Sequence, residues 1–116
     1  MKIRAQRVAE QMRKEITDIL LREVNDPRTK NATITSVDVT GDLQQATAYY
    51  TVLGDDATVK AETQAGLDKA SAFIRREIGS RIRLRKTPEL SFEYDSSVAY
   101  GSHIDSLIRD LNRNDQ

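Results

Sequence analysis

The 116-residue chain is predicted to form one α+β domain, a three-stranded sheet packed by helices. Three observations lead there. Two long stretches repeat apolar residues at three- and four-residue spacing. Three short stretches alternate with period two. The order is α-β-β-α-(α)-β-α rather than regular βα pairs, which is the pattern of an α+β domain. The length suits a single core, the hydrophobic fraction of 38% is enough to fill one, and no repeat or low-complexity linker divides the chain.

From Ile3 to about Val24, the apolar positions Val8, Met12, Ile16, Ile19 and Leu20 recur helically while Arg7, Lys14 and Arg22 fall elsewhere on the wheel. Pro27 disfavours α geometry at Asp26 and lacks an amide proton, so Asn25-Asp26-Pro27-Arg28 is predicted to stop the helix and turn the chain. Ala32–Thr40 and Gln45–Leu53 then alternate across Gly41-Asp42, an antiparallel hairpin. The first strand is expected to set Thr35, Val37 and Val39 on one face and Ile34 on the other; the second sets Ala46, Ala48, Tyr50 and Val52 together. Asp56 or Thr58 can cap the next helix, which runs to about Ile82 with Leu67, Ala70, Ile74 and Ile78 as its apolar stripe. Lys69, Arg76 and Arg83 lie nearly opposite, and the small residues Ala70-Ser71-Ala72 permit a tight kink midway. Pro88 closes the region, Leu90–Tyr94 alternates as a third strand, and Ser102 opens a short last helix with Ile104, Leu107, Ile108 and Leu111 on one side.

Several functions are disfavoured by what is absent. No cysteine rules out disulfides, thiolate-bound zinc and a thiol nucleophile. The longest aliphatic run, Ile19-Leu20-Leu21, is far short of a membrane span, and no secretory signal opens the chain, so a cytoplasmic location is expected. The glycines at 41, 54, 66, 79 and 101 never take phosphate-loop spacing. His103, the sole histidine, is best explained as a surface or capping residue, and Asp55-Asp56 supplies too few ligands for a metal. The chain is therefore not expected to be an enzyme or to hold a metal or cofactor; a hydrolase built on His103 and Asp95 is a distant alternative.

The formal net charge of zero conceals segregation. Residues 69–88 carry seven basic groups against one acidic, whereas residues 31–68 carry one against six. The basic block is Lys69, Arg75, Arg76, Arg81, Arg83, Arg85 and Lys86, and planar guanidinium groups suit bidentate phosphate contact. Arg4 and Arg7 can extend the same surface, with Ser71 beside it at the kink. Phe73 lies close to Lys69 and Arg76 on the wheel, but core packing is its default role, as sheet packing is for Tyr49, Tyr50, Tyr94 and Tyr100.

These marks together resemble a known family. The element order is similar to that of a type II KH domain, an RNA-binding fold. More narrowly, residues 3–110 resemble the ribosome-binding factor A family. The resemblance rests on Arg4, Arg7-Val8, Asp26-Pro27-Arg28, Val37 through Leu43, Ala46, Phe73-Ile74-Arg75, Leu84-Arg85, Pro88-Glu89-Leu90, Phe92 and Asp95. It implies a KH-like RNA-binding domain over residues 1–96, with a C-terminal helix and polar tail over 97–116 appended to it. It further implies a non-catalytic, monomeric factor that binds the free 30S subunit and its 16S rRNA. Late maturation, 5′-end processing, cold adaptation and release by an assembly GTPase belong to the same implication. The family's Ala-x-Gly kink is replaced here by Ala70-Ser71-Ala72, and alanine favours continuous helix, so a helical-side φ is expected at Ala72. An adaptor that docks a protein partner through Ile104–Leu111 is the alternative from another class.

Overall fold

The computed structural model of the chain describes residues 2–54 and 56–96. The element order is α1 (Lys2–Arg22), a 3₁₀ turn (Pro27–Asn31), β1 (Ala32–Val39), β2 (Gln45–Val52), α2 (Ala57–Arg81) and β3 (Glu89–Tyr94). The short last helix expected from Ser102 onward lies outside the described residues.

The sheet has strand order β1-β2-β3, so β1 and β3 are its edges. β1 and β2 form the expected antiparallel hairpin, from Val39 opposite Ala46 to Ala32 opposite Val52. β2 and β3 run parallel, from Gln45 beside Glu89 to Tyr50 beside Tyr94. A parallel neighbour demands a long crossover, and α2 provides it. Both helices lie over one face of the sheet. Met12, Ile16 and Ile19 of α1, Leu67, Ile74 and Ile78 of α2, and Ala48 and Tyr50 of β2 are essentially sealed from solvent. The other face carries Thr33, Asp38, Ser91 and Glu93, all exposed.

Local chemistry explains the joints. The Asp26 side chain accepts from the Arg28 amide and starts the 3₁₀ turn, with Pro27 in its first positions where a missing N–H costs nothing. Asp56 caps α2 by accepting from the amides of Thr58 and Val59. Gly66 lets α2 approach that turn: a Cβ there would sit 3.0 Å from Arg28 Cβ and 3.2 Å from Thr29 Cγ2.

Three local expectations are corrected. A bulge between Ile34 and Ser36 shifts the register, so Ile34 and Val37 are both buried instead of facing opposite ways. The hairpin turn does not pivot on Gly41: the left-handed residue is Leu43, at φ 61°, while Asp42 accepts from Thr40 Oγ1 and the Gln44 amide. Most relevant to function, the kink expected at Ala70-Ser71-Ala72 is absent and α2 is one uninterrupted helix there, with Ala72 on the helical side of φ as expected. The kink is absent because alanine costs nothing in a helix and the Leu67–Ile74–Ile78 stripe stays in register against the core.

Candidate nucleic-acid interface

α2 runs antiparallel to α1. Its middle, at Lys69, Ala70 and Phe73, shares a shallow cleft with Glu23–Asp26, and its last residue, Arg81, reaches Glu15 and Asp18. At 100° per residue, Arg4 and Arg7 fall on the same side of α1 as Asp18, the side turned to α2. Both are exposed.

The predicted basic residues separate into two groups. Lys69 and Arg76 stand exposed on the outer stripe of α2, with exposed Ala72 between them. Arg83, Arg85 and Lys86 are exposed in the loop and, like Arg76, make no ion pair among the described residues. Arg83 does not continue the helical stripe, because Ile82 is already extended at φ −116° and ψ 121°. The loop returns past Gly79, where the one close approach to an added Cβ would be the rotatable Thr87 Oγ1, at 2.8 Å.

Arg75 and Arg81 face inward instead. Arg75 donates through Nε to the Pro88 carbonyl and through Nη2 to the Thr87 carbonyl, at 2.9 and 2.6 Å. Its Nε also lies 3.8 Å from Glu89. Ser71 Oγ donates to the Leu90 carbonyl at 3.2 Å. Together they tie α2 to the start of β3, which is what Pro88, Glu89 and Leu90 contribute. Arg81 Nη1 lies 2.9 Å from Glu15 Oε1 and 2.8 Å from Asp18 Oδ2, locking the helices together. The hydrogen bonds that Arg81 donates to Asp18 and Glu15 hold its guanidinium even more firmly protonated than usual, and the one to Asp18 lowers that carboxyl. Glu15 and Asp18 are three residues apart and so share a helix face, a local signal of a clamp that the reading of Arg81 as part of the basic block left unused. Nothing in the linear pattern says which arginine they meet.

The remaining positions support the frame. Asp26 and Arg28 pair at 2.7 Å, and Phe73 is half-buried against the core with its outer side in the cleft beside Lys69. Tyr50 is buried, donating to Gln64 Oε1 at 2.5 Å, with Tyr94 edge-on at 5.7 Å. Asp95 accepts from Thr35 Oγ1 at 2.6 Å, a structural engagement for one half of the distant hydrolase pairing; His103 lies outside the described residues. No helix of the described residues is long and apolar enough to cross a membrane.

Comparison with known proteins gives a consistent picture. The family model for ribosome-binding factor A matches residues 4–108. A curated protein of Limosilactobacillus reuteri, strain DSM 20016, named ribosome-binding factor A, is 54% identical over 113 residues, covering 97% of this chain and 95% of that one. Among solved structures, a ribosome-binding factor A crystal structure from Thermus thermophilus aligns with TM-score 0.65 at 18% identity, over 78% of this chain and 94% of that one. A Thermotoga maritima protein described as a putative ribosome binding factor A aligns with TM-score 0.64 at 28% identity, over 73% and 80%. A homology model of Thermus thermophilus ribosome binding factor A, as fitted into the cryo-EM map of its 30S complex, aligns with TM-score 0.60 at 19% identity, over 73% and 88%.

Proposed function

The chain belongs to the ribosome-binding factor A family, and from that premise we propose that it is a non-catalytic assembly factor that binds the free 30S subunit and contacts its 16S rRNA. The observation that carries this reading is the exposed basic ridge. Lys69 and Arg76 on α2, the loop residues Arg83, Arg85 and Lys86, and Arg4 and Arg7 on α1 together offer cations to one side of a chain with no net charge. The relative fitted with the 30S subunit supports the choice of particle. Arg75, Arg81 and Ser71 act within this reading by holding the ridge in place, and an unkinked α2 presents shape and phosphate contacts without a glycine loop. We extend the proposal to late maturation and 5′-end processing of 16S rRNA, a role in cold adaptation, release by an assembly GTPase, and action as a cytoplasmic monomer. Residues 1–96 form the RNA-binding domain in this scheme, and 97–116 a helix and tail appended to it.

Co-sedimentation with free 30S subunits and with whole ribosomes, at several salt concentrations, tests the core of the proposal. Enrichment on free 30S particles is expected. About four or five simultaneous phosphate contacts predict a slope of log affinity on log salt on the order of −3, at roughly 0.7 per contact for single strands. Absence from every ribosomal fraction would refute it.

A further inference from the structure

The flank of α1 turned away from Arg4 and Arg7 borders the β1 edge of the sheet, which pairs with no further strand among the described residues. Ala5, Gln6 and Ala9 of α1 and residues 35–39 of β1 line a groove there, with Arg13 at its lower end. The hydrogen-bond phase of the sheet says which main-chain groups face it. Gln44 and Tyr50 accept from the amides of Glu89 and Asp95, on the β3 side, so even-numbered residues of β2 turn toward β3 and odd-numbered ones toward β1. Thr40 accordingly donates to the Gln45 carbonyl, and Asp38 and Ser36 are the next residues of β1 to face β2. The amides and carbonyls of Val37 and Val39 therefore point out of the sheet into the groove, beyond the bulge, where the strand is regular.

We infer that this edge is a docking strand for an extended, lysine- and arginine-rich segment of a protein partner. The inference is independent of the RNA-binding ridge. An added strand would lie about 4.8 Å from β1 and pair with Val37 and Val39, with alternate side chains turned toward α1 and toward the outer face. Ala5 and Ala9 are short, so α1 leaves room for the inward ones. Charge selects the partner. Asp38 is exposed beside the groove with no ion pair among the described residues, and Asp42 sits at the hairpin tip. Arg13 is neutralised by Glu10 at 2.6 Å. The groove is therefore net acidic, which repels nucleic acid and attracts a basic chain. A second copy is a poorer occupant, because antiparallel pairing of two β1 edges around residues 37–39 would bring Asp38 against its own counterpart.

The test is titration of the isotopically labelled full chain with a ten-residue peptide of alternating lysine and valine. The matched glutamate–valine peptide is the control. Binding of the lysine peptide is expected to protect the Val37 and Val39 amides from exchange by about tenfold, with no effect of the glutamate peptide. Asp38→Lys should weaken lysine-peptide binding by about tenfold without moving the thermal midpoint, and Asp38→Asn should act in the same direction by less. Three results would each overturn the inference: equal protection by both peptides, protection centred away from β1, or Val37 and Val39 amides already protected without peptide, since the chain's own residues 97–116 or a second copy would then hold the edge.

Discussion

Replacing Ala72 with glycine tests whether α2 is continuous where the family is expected to bend. Ala72 is exposed on the outer stripe between Lys69 and Arg76, so removing its methyl group uncovers no core and opens no cavity. What changes is backbone entropy alone. In a helix interior glycine is about 0.8–1.0 kcal/mol less favourable than alanine. For a domain of this size 1 kcal/mol moves the midpoint by about 4–8 °C, so a fall of about 3–8 °C is expected in thermal unfolding followed by circular dichroism. Ala65→Gly is an internal control, exposed seven residues earlier on the same face of the same helix, and should cost the same amount. If Ala72→Gly left stability unchanged or raised it while Ala65→Gly lowered it, the backbone at residue 72 would not be helical, and the account of α2 would be wrong.

Gly66→Ala should destabilise by about 1 kcal/mol: the helix gains about 1, but a Cβ 3.0 Å from Arg28 Cβ and 3.2 Å from Thr29 Cγ2 overpacks two residues of a rigid turn, at about 1–3. Gly79→Ala should instead stabilise, because its Cβ meets only the Thr87 hydroxyl, which can rotate away; chemical denaturation of both variants gives the two signs. The Arg28 side chain, and then its amide, hold the Asp26 carboxyl at about 2, below an ordinary value of about 3.9. Its contribution is therefore complete above about pH 4 and disappears as pH falls toward 2, and Asp26→Asn should flatten stability over that window in a pH series. Arg76→Glu with Arg83→Glu should weaken 30S binding while leaving the melting temperature nearly unchanged, since both side chains are exposed and make no ion pair among the described residues; undiminished binding by the folded double variant would remove the ridge from the interface.

The elements were legible because each is specified locally. Helical spacing from Val8 to Leu20, the proline after Asp26, the alternation of Ala46 to Val52 and the Asp56 cap are properties of neighbouring residues, and all reappear in place. The bulge at Thr35 was not legible. Threonine alternates as well as any strand residue, and the bulge follows from pairing with Tyr49 and Tyr50 fourteen or more residues away. Leu43 in the left-handed region was missed for a related reason: Gly41-Asp42 is the stronger turn signal, and the Asp42 side chain, by accepting from Thr40 and Gln44, moves the pivot two residues on.

By itself the sequence determined the class of fold, the buried stripes and the concentration of positive charge in residues 69–88, because propensity, periodicity and composition are short-range properties. Only the tertiary structure decided what those charges do. Arg75, Arg76 and Arg81 are the same residue type within seven positions, yet one is tied to the carbonyls before β3, one is exposed, and one is clamped to α1. The difference lies in which way each points from a single helix, and in what stands opposite once that helix is laid on a sheet and beside another helix.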